Sequence, residues 1–440
     1  CDPVTMTNPD IAALLPAAEA LMPQIVAIRR RIHRQPERGL ALPVTQALVA
    51  AELRKLGLEP RLGRATTSVT ALIQGAAPGP TVLLRGDMDA LPLTEDTGLD
   101  FSSEIEGAMH ACGHDTHVAM LLGAARLLVE RRADFAGQVL LMFQPGEEGF
   151  HGARVMIDEG LLEPAGAARP SGAFALHIST EYPTRTINIR PGPMMAAADF
   201  LKIEVRGRGG HASQPSAALD PITIAAEIVL ALQLFVTRQV DVFDPAVITV
   251  AQVRAGTTNN IIPESAFLDG TIRTFSEATR SLVHDGIRRV ATGIAAAHGG
   301  TAAVEVIAGY PVTTNDPAFS ELVRVTALEL LGEEHVPGST QPVMGAEDFS
   351  YVLQQIPGAM AFVGARPVDE DPATAPANHS NRVIFDEPAM AVGMATYAAV
   401  ALRSLARSAW ASSTEASPSG AAEASSTRAS GPTGPSGASA

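Results

Sequence analysis

Several stretches of the chain carry side chains that bind metals or move protons, and all but one follow a short apolar run. Asp87 and Asp89 come directly after the run 81–85. Cys112 and His114 stand two apart in Met109-His-Ala-Cys-Gly-His-Asp115, and Glu147 and Glu148 are adjacent in Gln144-Pro-Gly-Glu-Glu-Gly149. His177 follows the run 172–176, and His379 lies in Ala377-Asn-His-Ser380 after a later run. Taken singly, each has an ordinary reading. The aspartates suit a turn, a lone cysteine is commonly a small buried residue, and a Glu-Glu pair commonly faces solvent. That reading weakens for Cys-x-His, because a Gly-containing loop ahead of a helix aims thiol and imidazole outward. His110 and His117 are assigned structural places. Thiolate, imidazole and carboxylate donors together suit a divalent transition metal, zinc first, with manganese, cobalt or nickel as the other candidates. The five Cys, His and Glu donors, Cys112, His114, His177, His379 and one glutamate of the pair, exceed the four of one tetrahedral site. Two ions sharing a bridging ligand use them all, with one glutamate of the pair as ligand and the other free to take a proton from water.

These donors need a frame. Residues 81–85, 139–143 and 172–176 read as buried strands. A helix lies between the first two, its stripe made by Val118, Leu121, Leu122, Ala125, Leu128 and Val129, with Asp115 or Thr116 placed to cap it. Strand and helix alternating this way predict an α/β fold, a mostly parallel sheet with helices on both faces, whose ligands bind beyond the carboxyl ends of the strands. The pattern then changes. Strands at 200–205, 248–253, 267–275 and 302–307 with helices at 221–239 and 277–298 spell β-α-β-β-α-β, a small two-layer unit. Helix 317–331, strand 359–363 and helix 388–406 resume the first pattern. The expected organisation is a catalytic domain in two parts, 1–192 and 310–410, an inserted domain at 193–309, and a tail at 411–440. That tail contains no Leu, Ile, Val, Met or aromatic residue and is expected to be disordered.

Composition narrows the function classes. The 440 residues are 46% hydrophobic and 18% charged, enough for a sizeable core. With 32 basic and 47 acidic residues the net charge is −15, which argues against nucleic acid and membrane surfaces as partners. Two cysteines, Cys1 and Cys112, form no disulfide framework and suit a reducing compartment, so a cytoplasmic protein is expected. No segment reads as a membrane span: the most apolar stretch, 221–236, carries Glu227 and falls short of roughly 20 residues. No signal peptide is expected, and a start at Cys1 suggests processing or an artificial boundary. No Gly-x-Ser-x-Gly elbow, P-loop or dinucleotide fingerprint appears in the right context.

From about Arg29 to Ala406 the sequence resembles the zinc-dependent aminoacylase/carboxypeptidase superfamily, in its hippuricase and indoleacetyl–amino acid hydrolase branch. The carriers are Arg85-Gly-Asp-Met-Asp-Ala-Leu-Pro92, the Cys112/His114 and Glu147/Glu148 motifs, Gly209-Gly-His-Ala-Ser213 with Asp220-Pro221, Asn260-Ile-Ile-Pro263, Met344-Gly-Ala-Glu-Asp-Phe349 and Asn378-His-Ser380. The resemblance implies a zinc-exopeptidase-like fold with an inserted lid, a homodimer formed through that lid, and two divalent ions. It implies Cys112, His114, Glu148, His177 and His379 as metal ligands and Glu147 as general base. Asp89 is implied as an orienting aspartate and His211 as an oxyanion donor that reaches across a dimer. Asn260 and Arg273 match positions that hold the substrate carboxylate. The broader superfamily has histidine where Asp87 stands, and Cys112 compensates. After Gln214-Pro215 the branch usually has histidine, whereas this chain has Ser216. The implied substrate is a small N-acyl amino acid, hippurate-like or N-acetylated, cleaved at its amide. A dipeptidase or carboxypeptidase, and a metal-bearing binding protein without catalysis, are the alternatives.

Overall fold

The computed structural model describes residues 10–415. Its larger sheet has seven strands in the order Arg61–Leu62, Val69–Gln74, Ala136–Gln144, Ala77–Asp87, Gly172–Pro183, Gly358–Arg366 and Ile187–Asn188. The four strands from Ala136–Gln144 to Gly358–Arg366 run parallel, and the flanking strands are antiparallel to their neighbours. Their unbroken apolar runs follow from cover on both faces. Val82 and Leu84 face helices Leu14–Arg34, His114–Glu130, Pro317–Leu331 and Ala389–Glu415. Leu83 faces the short helices Gly152–Asp158 and Ser350–Leu353 on the other side.

The inserted unit has the expected β-α-β-β-α-β order, from Ala197–Arg206 to Thr301–Tyr310. Its antiparallel sheet runs Ala246–Ala255, Ser265–Thr274, Ala197–Arg206, Thr301–Tyr310. Helices Pro221–Gln239 and Glu277–Ala297 cover one face, burying Ile224, Ile228, Phe235 and Ile287 against Leu201, Ile203 and Leu268. Both begin on side-chain caps, Asp220 accepting from Ile222 N and Ser276 from Thr279 N.

Four expectations are corrected. Helix His114–Glu130 starts at Gly113, not on a cap from Asp115 or Thr116. Asp115 is drawn instead into a buried ion cluster with Arg29 and His33, at 2.7 and 2.8 Å. The third strand does not stop at Leu176 but runs on to Pro183, so His177 lies within it. Two helices, Pro221–Gln239 and Ala389–Arg407, do reach the length and hydropathy of a membrane span, since one glutamate barely lowers the mean of an apolar helix. The second of these is 89% buried by the sheet and its neighbouring helices. The last helix also reaches Glu415, past the expected start of the tail, and the rest of the tail and Cys1 lie outside the described residues.

Candidate active site

The parallel strands deliver their loops to one end of the sheet. Asp87 closes its strand, Glu147 and Glu148 follow the neighbouring strand after Gln144, and His177 points from the third. Gly113 makes the Cys112 loop feasible. Its φ is 87°, and a Cβ there would lie 2.3 Å from Ile178 Cγ2, so only glycine lets the chain turn with Cys112 on one side and His114 on the other. Cys112, Glu147, Glu148, His177 and His379 line one cavity of about 500 Å³, which Ala198, Phe200, Arg273 and Tyr310 of the inserted unit complete.

The sulfur is the centre of the arrangement. Cys112 Sγ lies 3.4 Å from His177 Nε2 and 3.2 Å from His379 Nε2, and His379 Nε2 is 3.3 Å from Glu148 Oε1. Cys112, His114 and His177 offer donor atoms mutually within 4.8 Å, and so do Cys112, Glu148 and His379. One sulfur thus belongs to both triplets, an arrangement that suits two bridged cations. The rings are set for it. His114 Nδ1 donates to the Asp89 carbonyl and His177 Nδ1 to the Ile178 carbonyl, both at 2.7 Å, which leaves each Nε2 lone pair facing the cluster. His114 Nε2 and Glu148 Oε1 are buried without a well-formed hydrogen bond; each faces a single ion-pair partner at 3.3 Å, Asp87 Oδ2 and His379 Nε2 respectively, contacts that a bound cation would replace. The residues therefore fit two divalent ions.

Other acidic groups nearby are already committed. Asp87 is held by Arg85 Nη1 at 2.8 Å and His117 Nδ1 at 2.5 Å. Glu347 takes Arg85 Nη2 at 2.6 Å, while Asp348 accepts from Gln144 Nε2 at 2.6 Å and Ala153 N at 2.9 Å. Arg85, fully buried, is the hub of this network.

Asp89 organises the glutamate loop. Its carboxylate accepts from Glu147 N at 2.9 Å on one oxygen and from Glu148 N at 3.0 Å on the other. Glu147 is buried, with Oε2 4.0 Å from His114 Nε2. Burial, then the charges of Glu347, Glu148 and Asp348, push its carboxyl pKa well above the usual range, as suits a group that takes up a proton. Burial also pushes Glu148 upward, but the His379 hydrogen bond and the His114 charge outweigh it and leave it lowered. Burial opposes the His114 cation, yet Asp87 and the Cys112 sulfur hold its pKa well above normal. His379 is raised to about 10 by hydrogen bonds to Cys112 and Glu148. These protons sit where anionic donors call for positive charge, the demand a divalent ion meets.

Residues 83–403 match the family described as Peptidase family M20/M25/M40. The chain belongs to that family. Over 383 residues this M20 chain is 41% identical to thermostable carboxypeptidase 1 of Saccharolobus solfataricus, covering 86% of this chain and 95% of that protein. It is 38% identical over 385 residues to IAA-amino acid hydrolase ILR1-like 4 of Arabidopsis thaliana, covering 87% and 86%. The crystal structure of the Bacillus subtilis YXEP protein, a dinuclear metal binding peptidase from the M20 family, matches with a TM-score of 0.76 and 33% identity, covering 88% of this chain and 99% of that one. The M20 chain is a metal-dependent amidohydrolase.

Not every expected residue reaches the M20 cavity. Arg273 lines it, half-buried, with Nη1 donating to Ile272 O at 3.0 Å and no ion pair among the described residues. His211 and Asn260 do not line it. Both are exposed on a separate surface where Gly210–His211 pairs with Ile261–Ile262, and His211 Nδ1 accepts from Ser213 N at 3.1 Å. Ser216 is exposed in the short turn Pro215–Ala217 beside them. His110 is buried without a partner for either ring nitrogen. His117 is more than a core histidine: Nδ1 bonds Asp87, Nε2 accepts from Ile178 N at 2.7 Å, and the ring backs the site. Sequence reasoning gave no role to Arg85, Glu347, Asp348 or Tyr310. Two signals were available: Arg85, Glu347 and Asp348 lie in motifs that carry the resemblance, and an arginine at the end of an apolar strand must find buried carboxylates or not be buried.

Proposed function

We propose that this enzyme hydrolyses the amide of small N-acyl amino acids, releasing a carboxylic acid and a free amino acid. The observation that carries this reading is the Cys112 sulfur shared by two donor triplets, with the Glu147 carboxyl beside them in the same cavity. Zinc suits the thiolate–imidazole–carboxylate set best, and Cys112, His114, Glu148, His177 and His379 would hold the two ions. When bound, divalent ions polarise a carbonyl and make water a stronger nucleophile. Glu147 takes the proton from the attacking water and passes it to the leaving nitrogen. Asp89 holds the Glu147 and Glu148 backbone in place from behind. Arg273 offers a guanidinium to the substrate carboxylate from the inserted side of the cavity.

His211 and Asn260, exposed and outside this cavity, serve best in a dimer, reaching the partner's site as oxyanion donor and carboxylate contact while residues 193–309 act as lid and interface. Leu230, Leu234 and Val253, each 60% exposed or more, support such an interface on the inserted unit. A buried free thiol supports a reducing compartment, the cytoplasm. A carboxypeptidase is the second reading, favoured by the 41% identity to a carboxypeptidase and by Arg273, which would hold a peptide C-terminus equally well. A panel of hippurate, N-acetyl amino acids, indoleacetyl-aspartate and dipeptides, scored for amine release after metal loading, separates the two. Chelation should abolish turnover and zinc or manganese restore it. Full activity in metal-free protein, or none on any amide, would end this reading.

A further inference from the structure

The loop that carries Glu147 is gripped from two sides, and only one grip belongs to the larger sheet. Asp89 holds the N–H groups of Glu147 and Glu148. From the opposite side, the Tyr310 hydroxyl donates to the Glu147 carbonyl at 2.5 Å and accepts from Gly149 N at 2.7 Å. Its proton and an acceptor site are thus already used by the backbone of residues 147–149. The ring is buried and stands edge-on to His151, with centroids 4.8 Å apart.

Tyr310 is also the last residue of strand Thr301–Tyr310, where the chain leaves the inserted unit. Its backbone is anchored there. Gly309 N donates to Asp199 Oδ1 at 2.9 Å, and the same buried carboxylate takes Arg280 Nη2 at 2.6 Å and His284 Nε2 at 2.7 Å. Tyr351 Oη donates to Gly309 O at 3.3 Å and bonds His151 Nδ1 at 2.9 Å. Gly309 permits this closeness, since a Cβ there would lie 2.1 Å from Ala198 O.

We infer that Tyr310 is a positioning residue for the general base: its hydroxyl pins the Glu147–Gly149 backbone to the root of the inserted unit. The inference rests on the reading of Glu147 as base. With both peptide edges fixed, the carboxyl has only its own side-chain torsions to search, and effective proton transfer depends on that placement. Without the pin, the 147–149 peptides would keep Asp89 and the loop's own bonds, Gly149 N to Glu147 O at 2.7 Å and Gly152 N to Gly146 O at 3.0 Å, but would lose their tie to the inserted unit.

Tyr310→Phe removes the hydroxyl and keeps the ring. Amide exchange in the metal-loaded protein reads the pin directly: Gly149 N–H, left with only its 2.7 Å bond to Glu147 O, should exchange several-fold faster, with the rest of the chain unchanged. In the same protein kcat should fall roughly ten- to a hundredfold while KM and metal content hold. Wild-type exchange at Gly149 together with wild-type kcat would overturn the inference. So would a fall in kcat without faster exchange, because the hydroxyl would then be acting on substrate. If the wild type cleaves none of the panel while the exchange response is present, the pin stands and the catalytic reading of the site fails.

Discussion

Replacing Glu147 and Glu148 one at a time by glutamine tests how the adjacent pair divides its work. Glu148 belongs to the Cys112–Glu148–His379 triplet, whereas the Cys112–His114–His177 triplet stands without it. Glu148→Gln should therefore retain about one metal equivalent and lose the other. Glu147 lies 4.0 Å from His114 Nε2 and groups with His114 and Glu148, but it belongs to neither sulfur-sharing triplet, so Glu147→Gln should keep both ions. Its loss should appear in the rate alone. General-base removal typically costs about 10²–10⁴ in kcat, equivalent to ~2.7–5.4 kcal/mol of barrier. Glutamine is isosteric, and the Asp89 and Tyr310 contacts are to backbone atoms of residue 147, so the loop should not move. Metal content by elemental analysis and steady-state kinetics on one N-acyl amino acid, run on the same preparations, decide the matter. Cys112→Ala is the reference and should lose both ions because its sulfur serves both triplets. Equal metal loss in the two glutamine variants would refute the division of roles, and a Glu147→Gln enzyme with near-normal kcat would refute the base.

Arg85→Met should destabilise the fold by about 3–5 kcal/mol in urea unfolding, because it strands the buried Asp87 and Glu347 carboxylates, and a loss under about 1 kcal/mol would count against the network. Arg273→Met should raise KM for carboxylate-bearing substrates roughly ten- to a hundredfold with kcat retained, as loss of one charge-assisted contact implies. A reduced kcat at unchanged KM would contradict it. Acid should unfold the protein below about pH 4. For Asp115, burial opposes ionisation but Arg29 and His33 prevail, and for Asp199 Arg280 and His284 prevail, so both carboxyls stay below the usual range, while His33 and Thr97 bring Glu95 to about 2. Lowered folded pKa values stabilise above the unfolded value and lose that stability as pH falls through the folded one, so Asp199→Asn should flatten the acid limb of a pH–stability curve. Gly113→Ala should deplete metal, because its Cβ would meet Ile178 at 2.3 Å and its φ of 87° disfavours any side chain. Normal occupancy would show that the loop tolerates the shift.

The sequence by itself determined what kinds of atoms the site contains and which elements carry them. Periods of two and 3.6 placed helices Pro221–Gln239 and Pro317–Leu331 with their bounds unchanged, because proline at the first turn and a capping aspartate mark where each begins. The Cys112, His114, Glu147, Glu148, His177 and His379 motifs were legible because their residue types are rarely gathered without chemical cause. Tertiary structure decided which of them meet. That one sulfur serves both triplets depends on Gly113 packing against Ile178, a contact 65 residues apart in the chain that no local pattern encodes. That Asp115 pairs with Arg29 instead of capping its helix follows from burial, which makes a fixed cation worth more than a backbone N–H that water could otherwise serve. His211 and Asn260, adjacent to nothing catalytic within their own chain, show the same limit from the other side. A motif specifies the residue, but only the packing of the inserted unit decides which cavity it faces, because that placement depends on contacts summed across two sheets.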